Sequence, residues 1–510
     1  SSFLGQTPPP PSPKPEALGM GLEHGAVQSV AHFVASMELT RPDILRAVPA
    51  YMVLEYGGAA LRRSGGDFYG KSRMAEKIQN FWSHSWHGNV WHKYSTLLVL
   101  NNGPAAMLLA TLAAILAAAL FSCGLLPGFH RLPYGWGEIQ FSAWSLGLGA
   151  LVAAVTFVLW RNRKKVFLDR LCINQVDGSL KAEAICSLAG VLDKSDSMLV
   201  LWDTTFAKRL WCVFELAAFL KSKQRKDKLL VVTPTLVGPC SVLAFLSTLC
   251  LMIPYSFAPA DGAHDARYVV AGVAGVGLGI FICLAELFRK FYRSVEDLRK
   301  QLSQLQLAET RCTCCSVEHR GPAGSTLLCD KKVITECISQ WFGSTQAFEH
   351  YVHTEVCNIL TDHLEHESFS SMSWCLSVAS PALWANMDLM SQSLRRGDWP
   401  AAARWLILGL ACVLQVAPIL VTWTKFLTRR FRARASTRAR DAAVSALIMV
   451  LLLLCLCVVV GVYFLAQRLS LGPLGEAAAF TFALGPAWAM AQLPSASRVA
   501  PQPGFDNLVV

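Results

Sequence analysis

Several uncharged apolar runs, each about 20 residues long, constrain this chain more than any other feature. A helix rises about 1.5 Å per residue, so such a run crosses a hydrocarbon layer near 30 Å thick. The runs lie at 104–123, 139–160, 236–257, 268–288, 402–423 and 443–465. A helix in a soluble core needs only one apolar stripe, whereas these runs are apolar all round. Composition agrees: 53% of the residues are hydrophobic, 16% are charged, and mean hydropathy is +0.38. Such a chain is too apolar to be disordered over most of its length, and at 510 residues it is no small disulfide-stapled fold.

The charges orient the spans. RNRKK follows Trp160 at once, and RKFYR closes the 268–288 run; basic flanks stay on the cytoplasmic side. The first four runs therefore make two hairpins, each leaving that side and returning to it. The C-terminal part is less regular. Seven basic residues fill 425–441, between the runs at 402–423 and 443–465, and simple counting puts them outside, against the rule. Two repairs remain open: 374–390 dips into or crosses the membrane, or 471–491 is a seventh span interrupted by Gly485 and Pro486. No run carries an ionisable residue at its middle, and Glu286 sits near an end, so nothing in the pattern supports ion or proton transport.

The net charge of +11 clusters beside apolar runs and reads as membrane orientation and contact with lipid head groups. No nucleic-acid motif accompanies it, so no nucleic acid is expected as a partner. Seventeen cysteines, an odd number without a repeating framework, read mostly as free thiols facing a reducing compartment or lipid. The start lacks a signal-peptide pattern, and 1–22 is a proline-rich arm expected to be disordered.

The most informative stretch lies between the two hairpins, at 161–235. KKVFLD is a strand signal ending at Asp169. GSLKAEAICSLAGVLDKS reads as a helix with Leu180, Ala184, Leu188 and Leu192 on one face. SMLVLW is a strand of the kind buried in a parallel sheet, and DTTFAKRLWCVFELAAFLKS is a second helix, capped by Asp203 or Thr204. Leu229 opens another strand. Upstream, NFWSHSWHGN reads as a strand ending in a polar loop and WHKYSTLLVL as a helix, so 78–103 supplies the first strand and helix of the sheet. A hairpin returns the chain to the side it left, so the sheet can close across the insertion at 104–160.

NFWSHSW, FLDRLCINQ and DKSDSMLVLWDTTFAKRLWCVFELAAF, in this order, resemble a divergent TIR-type domain of the kind found in large protist and algal (dinoflagellate-like) membrane protein families. The strongest element is Trp211-Cys212-Val213-Phe214-Glu215-Leu216, similar to a WCxxEL pattern. The resemblance covers about 90 residues. It implies a flavodoxin-like doubly wound sheet that acts in signalling or assembly. In some members it also implies cleavage of NAD, as substrate, at the nicotinamide–ribose bond, with the catalytic glutamate matched by Glu215. Loss of nicotinamide puts positive charge on the ribose, which a nearby carboxylate stabilises. Such sites open at the carboxyl ends of parallel strands. Ser83, His84, Ser85 and Trp86 end one expected strand, Asp169 and Arg170 another, and Trp86, Trp202 or Trp211 offers a ring for a ligand. The plain reading of the same residues has Glu215 cap a polar edge of a helix or pair with Lys208 or Lys181, and gives Trp211, Phe214 and Cys212 to packing.

Region 289–401 reads as a helical, Cys/His-containing cytoplasmic segment. SVEDLRKQLSQLQLAE is amphipathic through Leu298, Leu302 and Leu305. Cys312, Cys314, Cys315 and His319 follow, with Cys329 and Cys337 later; CxCC lacks the paired CxxC spacing of a structural zinc site, so no metal is assigned. His350, His353, His363 and His366 form no HExxH and read as helix-surface residues.

The sequence thus predicts an α/β plus membrane all-α chain. It is a polytopic helical membrane protein with a flavodoxin-like (TIR-like) parallel-sheet domain on the cytoplasmic side and C-terminal helices over 402–491. Its expected work is signalling or assembly, with self-association through that domain and NAD hydrolysis. The alternative is a non-enzymatic membrane scaffold.

Overall fold

The structure is a computed structural model that describes residues 15–62, 66–130, 140–223, 228–257, 264–320, 328–366, 368–369, 371–469, 472 and 475. The expected span at 471–491 falls almost wholly outside these residues. The expected disordered arm is corrected at its end: the Pro15–Ser36 helix begins inside it.

Among the described residues, eight strands form two sheets: β1 Arg46–Pro49, β2 Arg73–Met74, β3 Asn80–His84, β4 Phe129–His130, β5 Gln140–Phe141, β6 Lys165–Phe167, β7 Ser197–Trp202 and β8 Leu229–Pro234. The main sheet has six strands in the order β2-β1-β6-β3-β7-β8, and β4 and β5 make a separate ribbon. β6, β3, β7 and β8 run parallel, with Phe81 beside Phe167 on one flank and Met198 on the other. The sheet is mixed rather than purely parallel, because β1 joins β6 and β2 antiparallel. Every residue of β7 is buried, which is why SMLVLW reads as a continuous apolar run.

β3 precedes the first apolar hairpin and β6 follows it, so the sheet closes across the hairpin. Asn89 caps the next helix, accepting from the amides of Trp91 (2.9 Å) and His92 (3.2 Å). That helix does not stop before the membrane run. Val90–Ser122 is one element of 33 residues, so the sheet's crossover helix and the first span are continuous. Its first turns bury Thr96, Leu97 and Leu98 against the α/β core. Farther on, Ala106, Ala110, Ala114 and Ala118 are buried while Leu108, Leu112 and Leu116 are exposed. Small residues inside let neighbouring helices approach closely, and large apolar residues outside suit lipid.

Among the described residues, four helices are long and apolar enough to cross a membrane: Val90–Ser122, Val237–Ser256, Trp399–Arg430 and Arg438–Val458. The expected second span is shorter, Trp144–Leu159. The expected fourth forms the first half of a 40-residue helix, His264–Ser303. Close backbone approach fixes one crossing. A Cβ on Gly238 would lie 2.2 Å from the Thr96 amide nitrogen, and the Thr96 hydroxyl accepts from the Gly238 amide (2.9 Å) while donating to the Thr235 carbonyl (2.8 Å).

Contacts at both ends place the Met372–Arg395 helix along the bundle. Near its start, the Trp374 indole donates to Ser241 Oγ (2.8 Å), at the sheet-side end of the Val237–Phe257 helix. Near its end, Asp388 accepts from Ser142 Oγ (2.8 Å) and from the amides of Ser145 (2.8 Å) and Leu146 (3.0 Å), capping Trp144–Leu159 at the far end of the bundle. Arg395 reaches the Leu126 carbonyl there (3.0 Å). The helix therefore runs the length of the bundle, and the Trp399–Arg430 helix brings the chain back. The basic 425–441 segment ends on the same side as the main sheet. It is held by Arg289, which is fully buried and donates to Glu286 (2.9 Å), Asp441 (2.7 Å) and the carbonyls of Phe431 (2.8 Å) and Ala433 (2.9 Å).

Candidate functional site

The carboxyl ends of β3 and β7 meet where the strand order reverses: the chain passes from β3 to β6 on one flank, then to β7 on the other. Ligands of open α/β sheets bind at such a point, because the connecting loops diverge there and leave a crevice. β3 ends in Ser83 and His84, with Ser85 next. β7 ends in Trp202, followed by Asp203 and Thr205. The helix after β7 does not start at Asp203 or Thr204, as expected, but at Leu210. Asp203 instead closes a local turn, accepting from the Thr205 amide (2.8 Å) and hydroxyl (2.5 Å).

Glu215 lies in the second turn of the Leu210–Lys223 helix. Its side chain turns toward β3 and accepts a short hydrogen bond from the Ser83 hydroxyl. Neither Lys208 nor Lys181 is its partner. The residue keeps some solvent access while its carboxyl is enclosed by protein. Burial raises the pKa to about 8, against the opposing effect of the Ser83 hydrogen bond, and nearby Asp169 raises it further. A carboxyl in this state carries a proton at neutral pH.

Asp169, at the end of β6, accepts from the Trp86 indole (3.0 Å) and the Arg170 amide (2.7 Å). Burial holds its pKa above the ordinary carboxylate value. Arg170 stacks over Trp86, 5.9 Å from the ring centre, and donates to the Arg62 carbonyl. The His84 ring packs edge-on against Trp86 at 4.5 Å. Burial, with Lys93 and Arg209 near, holds its imidazole well below the usual value, so it is neutral. Cys212 faces the His84 carbonyl at 3.7 Å, and burial pushes its thiol well up, which removes thiolate chemistry.

Three enclosed polar atoms at this mouth have no hydrogen-bond partner among the described residues: His84 Nε2, Asp203 Oδ2 and an Arg209 guanidinium nitrogen. Natural structures satisfy nearly all such atoms, so three orphans gathered at one end of the sheet stand out. Gly88 shapes the same place, since a Cβ there would fall 1.9 Å from Asp203 Oδ2.

The structure thus gathers Ser83, His84, Trp86, Asp169, Arg170 and Glu215. It does not gather two other expected residues. Trp202 is buried in the core, 5.1 Å from the Phe206 ring. Trp211 donates to Asp330 (3.3 Å) and packs on Phe214, turned toward the Asp330–Phe342 helix. Sequence reasoning missed Asp203 as a mouth residue and Arg209 altogether; their signal was position, just beyond a buried strand.

Two other features lie outside this mouth. A groove of about 970 Å³ is lined by Arg293, Lys300, Arg429, Arg432, Glu296 and Asp297, among others. The cysteines around Cys314 converge although their spacing is irregular. No protein-family model, no curated protein and no solved structure matches this chain.

Proposed function

We propose that this chain is a membrane-anchored signalling protein whose TIR-like domain hydrolyses NAD at the nicotinamide–ribose bond. The observation that carries this reading is the Glu215 carboxyl bonded to Ser83 at the carboxyl ends of β3 and β7. The order of the parallel strands, β6-β3-β7-β8, supports a flavodoxin-like reading and favours a ligand at this end.

The chemistry asks little of the protein. The ribose–nitrogen bond breaks, nicotinamide leaves with the bonding pair, and positive charge develops on the ribose. Ionised Glu215 faces that charge and stabilises it, while Ser83 fixes the carboxylate. Water adds its oxygen to the ribose and releases a proton. Arg209 supplies a positive charge for the diphosphate, and the Trp86 ring a face for stacking.

The sheet and the basic 425–441 segment share one side of the bundle, and the positive flanks support a cytoplasmic placement of that side. The basic groove supports anionic lipid head groups as partners there. Full-length protein in detergent, incubated with NAD, is expected to release free nicotinamide, and Glu215→Gln to abolish the release. No release by the wild type, or equal release by both, overturns the enzymatic reading.

The engagement of Trp202 and Trp211 in packing favours a second reading, a non-enzymatic scaffold. Its expectation is self-association that Glu215→Gln leaves intact; a monomeric protein in detergent counts against it.

A further inference from the structure

We infer that Cys314, Cys315, His319 and Cys329 form a closed zinc site that pins the linker to the helix carrying Glu215. Their ligand atoms all lie within 4.8 Å of one another. Zinc–sulfur bonds of about 2.3 Å in a tetrahedron put the sulfurs about 3.8 Å apart. Cys314 and Cys315 are 3.9 Å apart at sulfur, and Cys315 and Cys329 are 3.8 Å apart. Disulfides require sulfurs about 2.05 Å apart, and all these cysteines are free thiols.

Cys312 is different. Its sulfur lies 3.0 Å from that of Cys314, too near for both to be ligands of one tetrahedral ion, and it also faces Asp330 at 3.6 Å. It lies beside the Cys314 sulfur as an outer contact of the kind that orients a metal ligand.

Backbone geometry gives independent support. Glu318 and His319 both adopt left-handed conformations, φ 53° and 58°, which side-chain-bearing residues rarely do in succession. This pair folds the chain back so that the His319 amide donates to the Cys314 carbonyl (2.9 Å) and the imidazole returns to the thiols. Strain of this sort persists where something else holds it. The His319 Nε2 atom is enclosed and has no hydrogen-bond partner among the described residues. Three thiolates and one imidazole in a tetrahedron suit zinc, and four protein ligands leave no open position for catalysis.

The site is tied on both sides to the Leu210–Lys223 helix. Arg311 donates its amide to the Lys208 carbonyl (2.8 Å) and accepts from the Leu210 amide (3.1 Å). Asp330, beside Cys329, accepts from the Trp211 indole. The metal would hold the linker against both ends of the segment that presents Arg209 and the first turn before Glu215.

Metal analysis tests this without reference to NAD. The full chain, purified in detergent with reductant and without chelator, is expected to hold about one zinc per molecule. Cys329→Ser is expected to lose it, while Cys312→Ser and His319→Cys keep it. Reduced, metal-stripped wild type is expected to take up cobalt(II) and show thiolate-to-cobalt charge-transfer bands with tetrahedral visible absorption, a reading that needs no variant. Zinc-free wild type that takes up no cobalt, or full zinc in Cys329→Ser, overturns the site.

Discussion

Glu215 shows how one short contact and one enclosure set a carboxyl's working range. Its pKa near 8 makes the charged form the minor one at neutral pH. If the ionised carboxylate stabilises the ribose cation, kcat/KM for NAD rises with pH and levels off above about 8, read from initial rates. The Ser83 hydrogen bond lowers this pKa, so Ser83→Ala is expected to move that limb upward. Stability follows with the opposite sense. In the unfolded chain the group ionises near 4.5, whereas in the fold it stays protonated to about 8. Its contribution is therefore fully present below the unfolded pKa and declines as pH rises through the folded one. Glu215→Gln removes that decline and is expected to stabilise the fold at pH 7 on the order of 1–2 kcal/mol, seen as a raised unfolding midpoint in detergent. Glu215 was legible because it sits inside WCVFEL. Asp203 and Arg209 were not, because the sequence places the helix start at Asp203, where the fold inserts a turn.

Among the elements, the first crossover helix shows why local pattern misplaces a boundary. WHKYSTLLVL is amphipathic and the next residues are wholly apolar, so the sequence shows a join; yet no capping residue or breaker stops the helix, and Pro104 is tolerated within it. Met372–Arg395 was ambiguous because it is no more apolar than a core helix, and it keeps Asp388 for a cap on another helix. Cys329 joined the thiol cluster only through tertiary folding, which spacing cannot show. Arg289 carries the clearest energetic burden among these elements. It is fully enclosed by carboxylates and carbonyls, and truncating it takes the donor from the Phe431 and Ala433 carbonyls and the cation from beside Asp441. Arg289→Met is expected to cost about 3–5 kcal/mol and to release the 425–441 segment, measured as a lowered unfolding midpoint and faster trypsin cleavage there.

At the scale of the whole molecule, one sheet is assembled from chain on either side of an apolar helical hairpin. The apolar runs and their basic flanks made the hairpins legible, and the βαβ pattern made the four parallel strands legible. The antiparallel edge β1–β2 was hidden, since four and two residues are too few to show alternation. Closure demands that His87, just past β3, and Lys208, just before the Glu215 helix, share a compartment, with Leu125 at the hairpin's far end in the other. All three are exposed. The most direct measurement introduces His87→Cys, Lys208→Cys and Leu125→Cys one at a time, each against the parent chain. Membrane-impermeant maleimide is then applied to sealed vesicles of one orientation. Added labelling at His87→Cys and Lys208→Cys from one side, and at Leu125→Cys from the other, is the predicted result; labelling of His87→Cys and Lys208→Cys from opposite sides would contradict it.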